Sequence, residues 1–340
     1  MNTLLDPAIL FFVLGITAGL LKSNLDIPAP LSRFLSLYLL MALGLKGGFA
    51  LSKSGLSSEV LSSLGSAITM ALIVPAFSWL LLRRLLPPFD AIGVAATYGS
   101  VSAVTFVTAT QVLEQQGTPA GGHMAAAMAL MESPAILISV GMAGLLRLRR
   151  GAGEVAVVPQ SGGAAVLTGP QPVPSLQMSR VMREALTDGS TLLLLGALAV
   201  GLITGSPGEA AMKPFAGDLF KGLLAFFLLD MGLLTARHLP GLRGFTPALL
   251  AYAVCAPVVH ALMALVLARL TGMSIADATL LAVLAASASY IAVPAVLRHA
   301  VPEAQPALYF GLSLGLTFPF NLLLGIPLYQ QMATLLFVPK

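Results

Sequence analysis

Ala285-Ala286-Ser287-Ala288-Ser289-Tyr290-Ile291-Ala292-Val293-Pro294-Ala295-Val296 interrupts an apolar segment long enough to cross a membrane. Ser287, Ser289 and Tyr290 fall within four residues, and Pro294 follows five positions after Ser289. An echo, Tyr98-Gly99-Ser100-Val101-Ser102, lies 187 residues earlier (287 − 100). Hydrocarbon tolerates non-helical backbone only where it faces protein or a water-filled cavity. Two polar, breakable stretches inside apolar runs therefore point to a solute site within the membrane.

Composition sets the class. Of 340 residues, 57% are hydrophobic and 9% charged, and the mean hydropathy is strongly positive. A soluble domain carries about 25% charge to cover its surface. The apolar runs are roughly 20 residues long, the length that spans about 30 Å of hydrocarbon as helix. They lack the short alternation of a transmembrane barrel. The chain reads as an all-α polytopic membrane protein. Its net charge of +4 is scattered between the runs, not clustered as a nucleic-acid surface requires, so no nucleic-acid partner is expected. One cysteine, Cys255, allows no intrachain disulfide. Met1–Asp6 carries no basic residue ahead of the first apolar run, which reads as a span instead of a cleaved leader.

Ten spans are expected, at roughly 7–22, 31–52, 60–86, 90–117, 119–147, 187–205, 215–236, 245–270, 276–300 and 304–335. Residues 148–186 differ in character. Arg147, Arg149 and Arg150 close the fifth span, and Gly151–Ser179 is rich in Gly, Pro, Gln and Ser. Such a segment buries too little apolar surface to order itself and reads as a flexible linker. It divides a first five-helix repeat, 1–147, from a second, 187–340. At an offset of 187 (277 − 90), Asp90-Ala91 matches Asp277-Ala278, Ser100 matches Ser287, Ser102 matches Ser289, and Pro119-Ala120 matches Pro306-Ala307. With small gaps, Pro75 and Pro257 mark the third span of each half, while Gly55-Leu56 and Gly241-Leu242 close the second. Chance likeness of Ala-, Leu- and Ser-rich helices is the competing explanation; one register kept across whole spans favours duplication.

An odd number of spans per repeat inverts the second half. With the N-terminus outside, the inner side holds Lys22, Arg33, Arg83, Arg84, Arg147, Arg149, Arg150, Arg180, Arg183, Arg237, Arg243 and Arg298. The outer side holds Lys53, Lys213, Lys221, Arg269 and Lys340, twelve basic residues against five, with Lys46 inside the second span. Basic residues gather on the cytoplasmic side, so both termini are expected outside and the linker inside. Inverted repeats are the architecture of secondary transporters.

The fourth and ninth spans carry the breaks. Pro294 has no N–H to offer the carbonyl of Tyr290, and Gly99 lowers the cost of leaving the helix. Ser100, Ser102, Thr105, Ser287, Ser289 and Tyr290 supply hydroxyls. Crossing of the two broken helices brings two half-helix N-termini and two C-termini together. The N-termini, with free N–H groups and partial positive charge, suit a small anion. The C-terminal carbonyls and hydroxyl oxygens suit a hard monovalent cation such as Na⁺. One crossing can then hold both ions, which is symport. Packing between membrane helices is the alternative reading of any single hydroxyl.

Glu132, before Ser133-Pro134, and Asp230, in Leu-Leu-Asp-Met-Gly, are intramembrane carboxylates and candidate sodium-binding or gating groups. Pairing with a base such as Lys46 is their alternative. Thr317 and Asn321, in Thr-Phe-Pro-Phe-Asn of span ten, join them as candidates; the Asn321 amide either ligates Na⁺ or hydrogen-bonds the broken helix. His123, His238, His260 and His299 are isolated, without metal-ligand spacing. The sequence has no P-loop or nucleotide fingerprint. Neither an enzyme nor an ATP-driven pump is expected, and no cofactor beyond Na⁺ as coupling ion.

At these residues the chain resembles the sodium-dependent bicarbonate transporters of the SbtA type. The likeness is densest in Thr279–Arg298 (TLLAVLAASASYIAVPAVLR) and Leu314–Tyr329 (LGLTFPFNLLLGIPLY), with Leu43–Gly48 (LGLKGG) and Glu132-Ser133-Pro134 also similar. The resemblance implies a Na⁺/HCO₃⁻ symporter of the inner membrane that feeds carbon concentration. It implies ten spans in two inverted repeats, a core and a scaffold or gate domain, a homotrimer, and a cytoplasmic PII-type regulatory protein. Bicarbonate would sit at Gly99, Ser100, Ser102, Thr105, Ser287, Ala288, Ser289 and Tyr290. Where family members read Ser-Gly-Ser-Thr, this chain has Ser102-Ala103-Val104-Thr105, without a hydroxyl at 104. The rival readings are the same fold carrying another small anion or exchanging cation for proton, and a membrane sensor or scaffold for a cytoplasmic signal protein.

Overall fold

A computed structural model describes residues 6–55, 57–151 and 189–337, all-helical and without strands among them. Leu56 and residues 152–186 of the expected linker lie outside. In order the helices are α1 (Pro7–Leu20), α2 (Ala29–Ser54), α3 (Ser58–Leu82), α4 (Pro88–Gly99), α5 (Ala103–Gln115) and α6 (Met124–Gly151). After the linker come α7 (Gly189–Lys213), α8 (Leu219–His238), α9 (Pro247–Thr271), α10 (Ile275–Ala286), α11 (Ala292–Ala300), α12 (Pro306–Leu312) and α13 (Ile326–Phe337). Proline opens α1, α4, α9 and α12, where its missing N–H is no loss. Side chains cap α1 and α10: Asp6 accepts the Ala8 N–H at 2.8 Å, and Ser274 that of Asp277 at 3.1 Å.

Among the described residues, seven helical stretches are long and apolar enough to cross a membrane, against the ten crossings expected. Two features bear on the difference. First, α1 and α10 have only 14 and 12 residues. Second, Thr191–Gly244 is a single helical run of 54 residues that doubles back on itself. Its hinge is Gly205, at φ 53° and ψ −141°, a backbone setting that glycine alone adopts cheaply. Before the hinge, Leu194 lies beside Gly44 and Gly201 beside Gly48, so the chain runs parallel to α2. After it, Glu209 pairs with Lys53 at 2.5 Å and Arg237 with Asp26 at 2.6 Å, so the direction is reversed.

α1, α2, α7 and α8 pack as one layer, α1 on α8 and α2 on α7. Small residues bring their backbones together. A Cβ added at Gly15 would stand 2.2 Å from the Leu229 carbonyl oxygen, and one at Gly48 2.2 Å from that of Leu198. α3 to α6 and α9 to α13 form a second body. At its centre lie α4, buried from Phe89 to Gly99, and α10, buried from Asp277 to Ala286. Asp90 and Asp277, matched in the sequence, do the same job at the head of these helices. Asp90 Oδ1 accepts the N–H of Gln305 just ahead of α12, and Asp277 Oδ1 that of Gly121 just ahead of α6, both at 2.7 Å. Between α12 and α13 the helix widens into two π-turns, Ser313–Thr317 and Asn321–Gly325. Pro319 and Pro327 follow them and remove donors from the ladder, the kind of interruption that a widened turn absorbs.

Candidate functional site

α4 stops at Gly99 and α5 begins at Ala103; α10 stops at Ala286 and α11 begins at Ala292. The two breaks touch. The Ser102 N–H donates to Ser287 Oγ at 2.8 Å, and the Ser289 N–H donates to the Thr97 carbonyl at 2.8 Å. Each break thus satisfies backbone groups that the other leaves open, as burial away from water demands. Ser287 hands its own proton to the Leu284 carbonyl at 2.8 Å. An unsatisfied buried N–H costs about 1–3 kcal/mol, so this serine ties the crossing together.

Ser102 is also the cap of α5. Its Oγ accepts the Thr105 N–H at 3.3 Å and the Thr105 hydroxyl at 3.0 Å. Ser289 Oγ accepts the Val293 N–H at 3.3 Å near the start of α11. Two expectations about the breaks are corrected. Gly99 is still helical, and it is glycine because Pro75 of α3 occupies the space: a Cβ would stand 2.3 Å from the proline ring. Pro294 does not break a continuous helix. It is the third residue of α11, in the first turn, where a missing N–H is tolerated, and the Tyr290 carbonyl lies in the non-helical stretch before it.

A cavity of about 40 Å³ opens at the crossing, lined by Ser36, Ser102, Val104, Glu132, Ser289 and Tyr290, among others. At about 10–15 Å³ for each water-sized occupant, it has room for roughly three or four non-hydrogen atoms. Ala103, Val104 and Ala292, the opening residues of α5 and α11, are on its wall; the first N–H groups of a helix have no partner within it. Both half-helix N-termini therefore meet the cavity. So does one carboxylate. Glu132 Oε2 accepts the Thr191 hydroxyl proton at 2.9 Å, and its backbone carbonyl accepts that of Ser100 at 3.3 Å.

The half-helix C-termini are engaged elsewhere. The Ala96 carbonyl takes the Ser100 N–H at 3.1 Å, and the Ala286 carbonyl takes Asn321 Nδ2 at 2.8 Å. Asn321 Oδ1 in turn accepts the Tyr329 hydroxyl at 2.7 Å. Thr317 accepts from Tyr98 at 2.5 Å and donates to the Ala253 carbonyl at 2.7 Å. Asn321 and Thr317 thus stand behind the crossing and brace it, off the cavity wall. Gly99, Ser100, Thr105, Ser287 and Ala288 are likewise next to the cavity without lining it, whereas Ser102, Ser289, Tyr290 and Glu132 line it.

From Ser36, Tyr290 and Ile291 the cavity continues into a vestibule of about 1100 Å³. Arg33, Arg237, Arg298, Asp26 and Asp230 line this vestibule. Asp230 is buried, with Oδ2 meeting no partner at hydrogen-bond geometry. The Tyr290 hydroxyl is buried in the same way beside Ser102. Sequence reasoning missed Ser36 and Thr191. Each is a hydroxyl within an apolar helix of the other layer, several residues from any proline or kink of that helix.

A family model described as the Na⁺-dependent bicarbonate transporter superfamily matches residues 7–334 of the chain. No individual curated protein matches it.

Proposed function

We propose that this chain, which belongs to the Na⁺-dependent bicarbonate transporter superfamily, is a Na⁺/HCO₃⁻ symporter that binds both ions in the cavity at the crossing. One observation carries the reading: two half-helix N-termini and one carboxylate share a single small cavity. Each N-terminus contributes about half a positive charge, so the pair offsets the ionised Glu132 when the cavity is empty. Bicarbonate alone would leave it at about −1, and Na⁺ alone at about +1. With both bound it is neutral again. Only the empty and the doubly loaded cavity avoid the cost of burying net charge, and that is the condition for obligatory coupling. The four non-hydrogen atoms of bicarbonate take up this volume by themselves, so Na⁺ takes the side where the cavity opens at Ser36 and Tyr290.

The remaining architecture follows from the same reading. The ten crossings are the seven long stretches, with the 54-residue run counted twice and α1 and α10–α11 added. The matched roles of Asp90 and Asp277, and of Ser102 and Ser289, support two inverted repeats. The basic residues lining the vestibule support an orientation in which it faces the cytoplasm and both termini lie outside. The glycine-packed layer is the scaffold, and the body holding α4, α5, α10 and α11 is the core that moves.

Uptake of isotope-labelled bicarbonate into proteoliposomes tests the reading. Accumulation is expected only with an inward Na⁺ gradient. Uptake indifferent to Na⁺ would overturn symport, and uptake that follows a proton gradient instead would assign the coupling to protonation of Glu132.

The apolar wall at Val104 yields a second expectation. Val104→Thr keeps the shape and adds a hydroxyl where the related sequences carry one. A neutral hydrogen bond contributes about 0.5–1.5 kcal/mol, so the KM for bicarbonate should fall by roughly three- to tenfold at unchanged Na⁺ dependence. Concentration-dependent uptake by the variant reads this directly.

A further inference from the structure

Two charged residues sit where their own helices disfavour them. Lys46 is in the second half of α2, within an apolar span where a charge is costly. Glu114 is one residue from the C-terminal end of α5, facing the negative end of that helix. Each placement is explained by the other. Lys46 Nζ lies 3.1 and 3.3 Å from the two carboxylate oxygens of Glu114 and 4.5 Å above the ring of Phe220 on α8. The next residue, Gly47, presses on the loop ahead of α6, where a Cβ would come within 2.8 Å of the Gly122 carbonyl oxygen.

These contacts join the two bodies at the end away from the vestibule. Lys46 and Phe220 belong to the glycine-packed layer, while Glu114 and Gly122 belong to the body that holds the breaks. A pocket of about 650 Å³ lies beyond them, lined by Lys46, Lys53, Glu114, Glu209 and Lys213 among others, and none of its lining residues also lines the cavity. The cavity is thus open to one side and shut toward Lys46. Glu114 is also mechanically tied to the site. α5 begins on the cavity wall at Ala103 and reaches Glu114 eleven residues later (114 − 103), about 16 Å along the helix. Any rigid movement of the half-helix that presents its N-terminus to the anion pulls on this pair.

We propose that the Lys46–Glu114 pair is a latch: it holds the core against the scaffold on the side opposite the vestibule, and it parts when the site turns to face that side. The inference rests on the transport reading for its purpose, but its test needs no transport. In a Cys255→Ser background, Leu40→Cys places a thiol on the cavity wall. Ala50→Cys, in the pocket beside Lys46, identifies which membrane face bears the latch. A membrane-impermeant thiol reagent is then added separately from each face.

From the Ala50 face, Leu40→Cys is expected to label roughly three- to tenfold faster with Glu114→Gln or Lys46→Met than with the intact pair. From the vestibule face it should label more slowly. The reversed pair, Lys46→Glu with Glu114→Lys, should return both rates toward those of the intact pair. Unchanged rates in the single variants would overturn the latch. So would faster labelling from both faces, the mark of general loosening, or failure of the reversed pair to restore the rates. Loss of Na⁺-driven uptake in an otherwise intact protein would count against symport and leave these labelling results standing.

Discussion

Glu132→Gln is expected to abolish the Na⁺ dependence of bicarbonate uptake and to lower uptake at limiting Na⁺ by about 10- to 100-fold. Glutamine has the same length and can still accept the Thr191 hydroxyl proton, so the local packing survives. What disappears is the charge. A hydrogen bond or ion contact to a charged group contributes about 1.5–3 kcal/mol, which is the origin of the expected range at 1.4 kcal/mol per tenfold. The sign of the effect on bicarbonate alone is also set. With Glu132 neutral, two half-helix N-termini and one anion already balance, so bicarbonate should bind without Na⁺ at least as well as before. Equilibrium binding with and without Na⁺, alongside a Na⁺ titration of uptake, separates these quantities. An unchanged Na⁺ titration would remove Glu132 from the cation site. Asp230→Asn should have the smaller effect, because Asp230 lines the vestibule and not the cavity wall.

Gly48→Leu should have the other large effect, on folding instead of on coupling. The added Cβ alone would stand 2.2 Å from the Leu198 carbonyl oxygen and 2.7 Å from the Leu202 nitrogen, both backbone atoms that cannot rotate away. α2 and α7 would have to separate along the seam that also positions Gly44 and Gly201. Overpacking costs about 1–3 kcal/mol or more where the neighbours cannot move, and here none can. A fall of many degrees in the thermal midpoint of the detergent-solubilised protein, or failure to recover monodisperse protein, is expected. Gly65→Leu is the control. Gly65 is exposed on α3 with nothing within 4 Å of its missing Cβ, so that change should leave the midpoint within a few degrees.

The part of the site legible in the sequence was the part that departs from helix chemistry. Serines, a tyrosine and a proline crowded into an apolar run placed the breaks at Ser100–Ser102 and Ser287–Ile291, and it is there that the helices stop. Periodicity and composition also gave the helical membrane class. Tertiary neighbours were not legible, because no local pattern encodes them. Gly99 reads as a helix breaker until Pro75 is seen against it. Asn321 reads equally as a Na⁺ ligand and as a hydrogen bond to the broken helix, and its amide is found on the Ala286 carbonyl. Ser36 lines the cavity and Thr191 bonds Glu132, each from an apolar helix in which a hydroxyl looks like packing. Helix length alone merges 191–244 into one run, whereas the sequence reading ended a span at 205, where Gly205 turns the chain.

The hydrogen bonds across the crossing join residues very far apart in the chain: Ser102 to Ser287, 185 positions on, and Thr97 to Ser289, 192 positions on (289 − 97). During synthesis the first broken helix must therefore enter the bilayer long before its partner has left the ribosome. Until then the backbone around Ser102 has no second break to lean on and must stay helical, stay hydrated, or borrow another partner. The crossing is consequently completed only after most of the chain has been made. The two halves, made as separate chains in one cell, each lack what the other supplies, and activity should return only when they meet in the membrane.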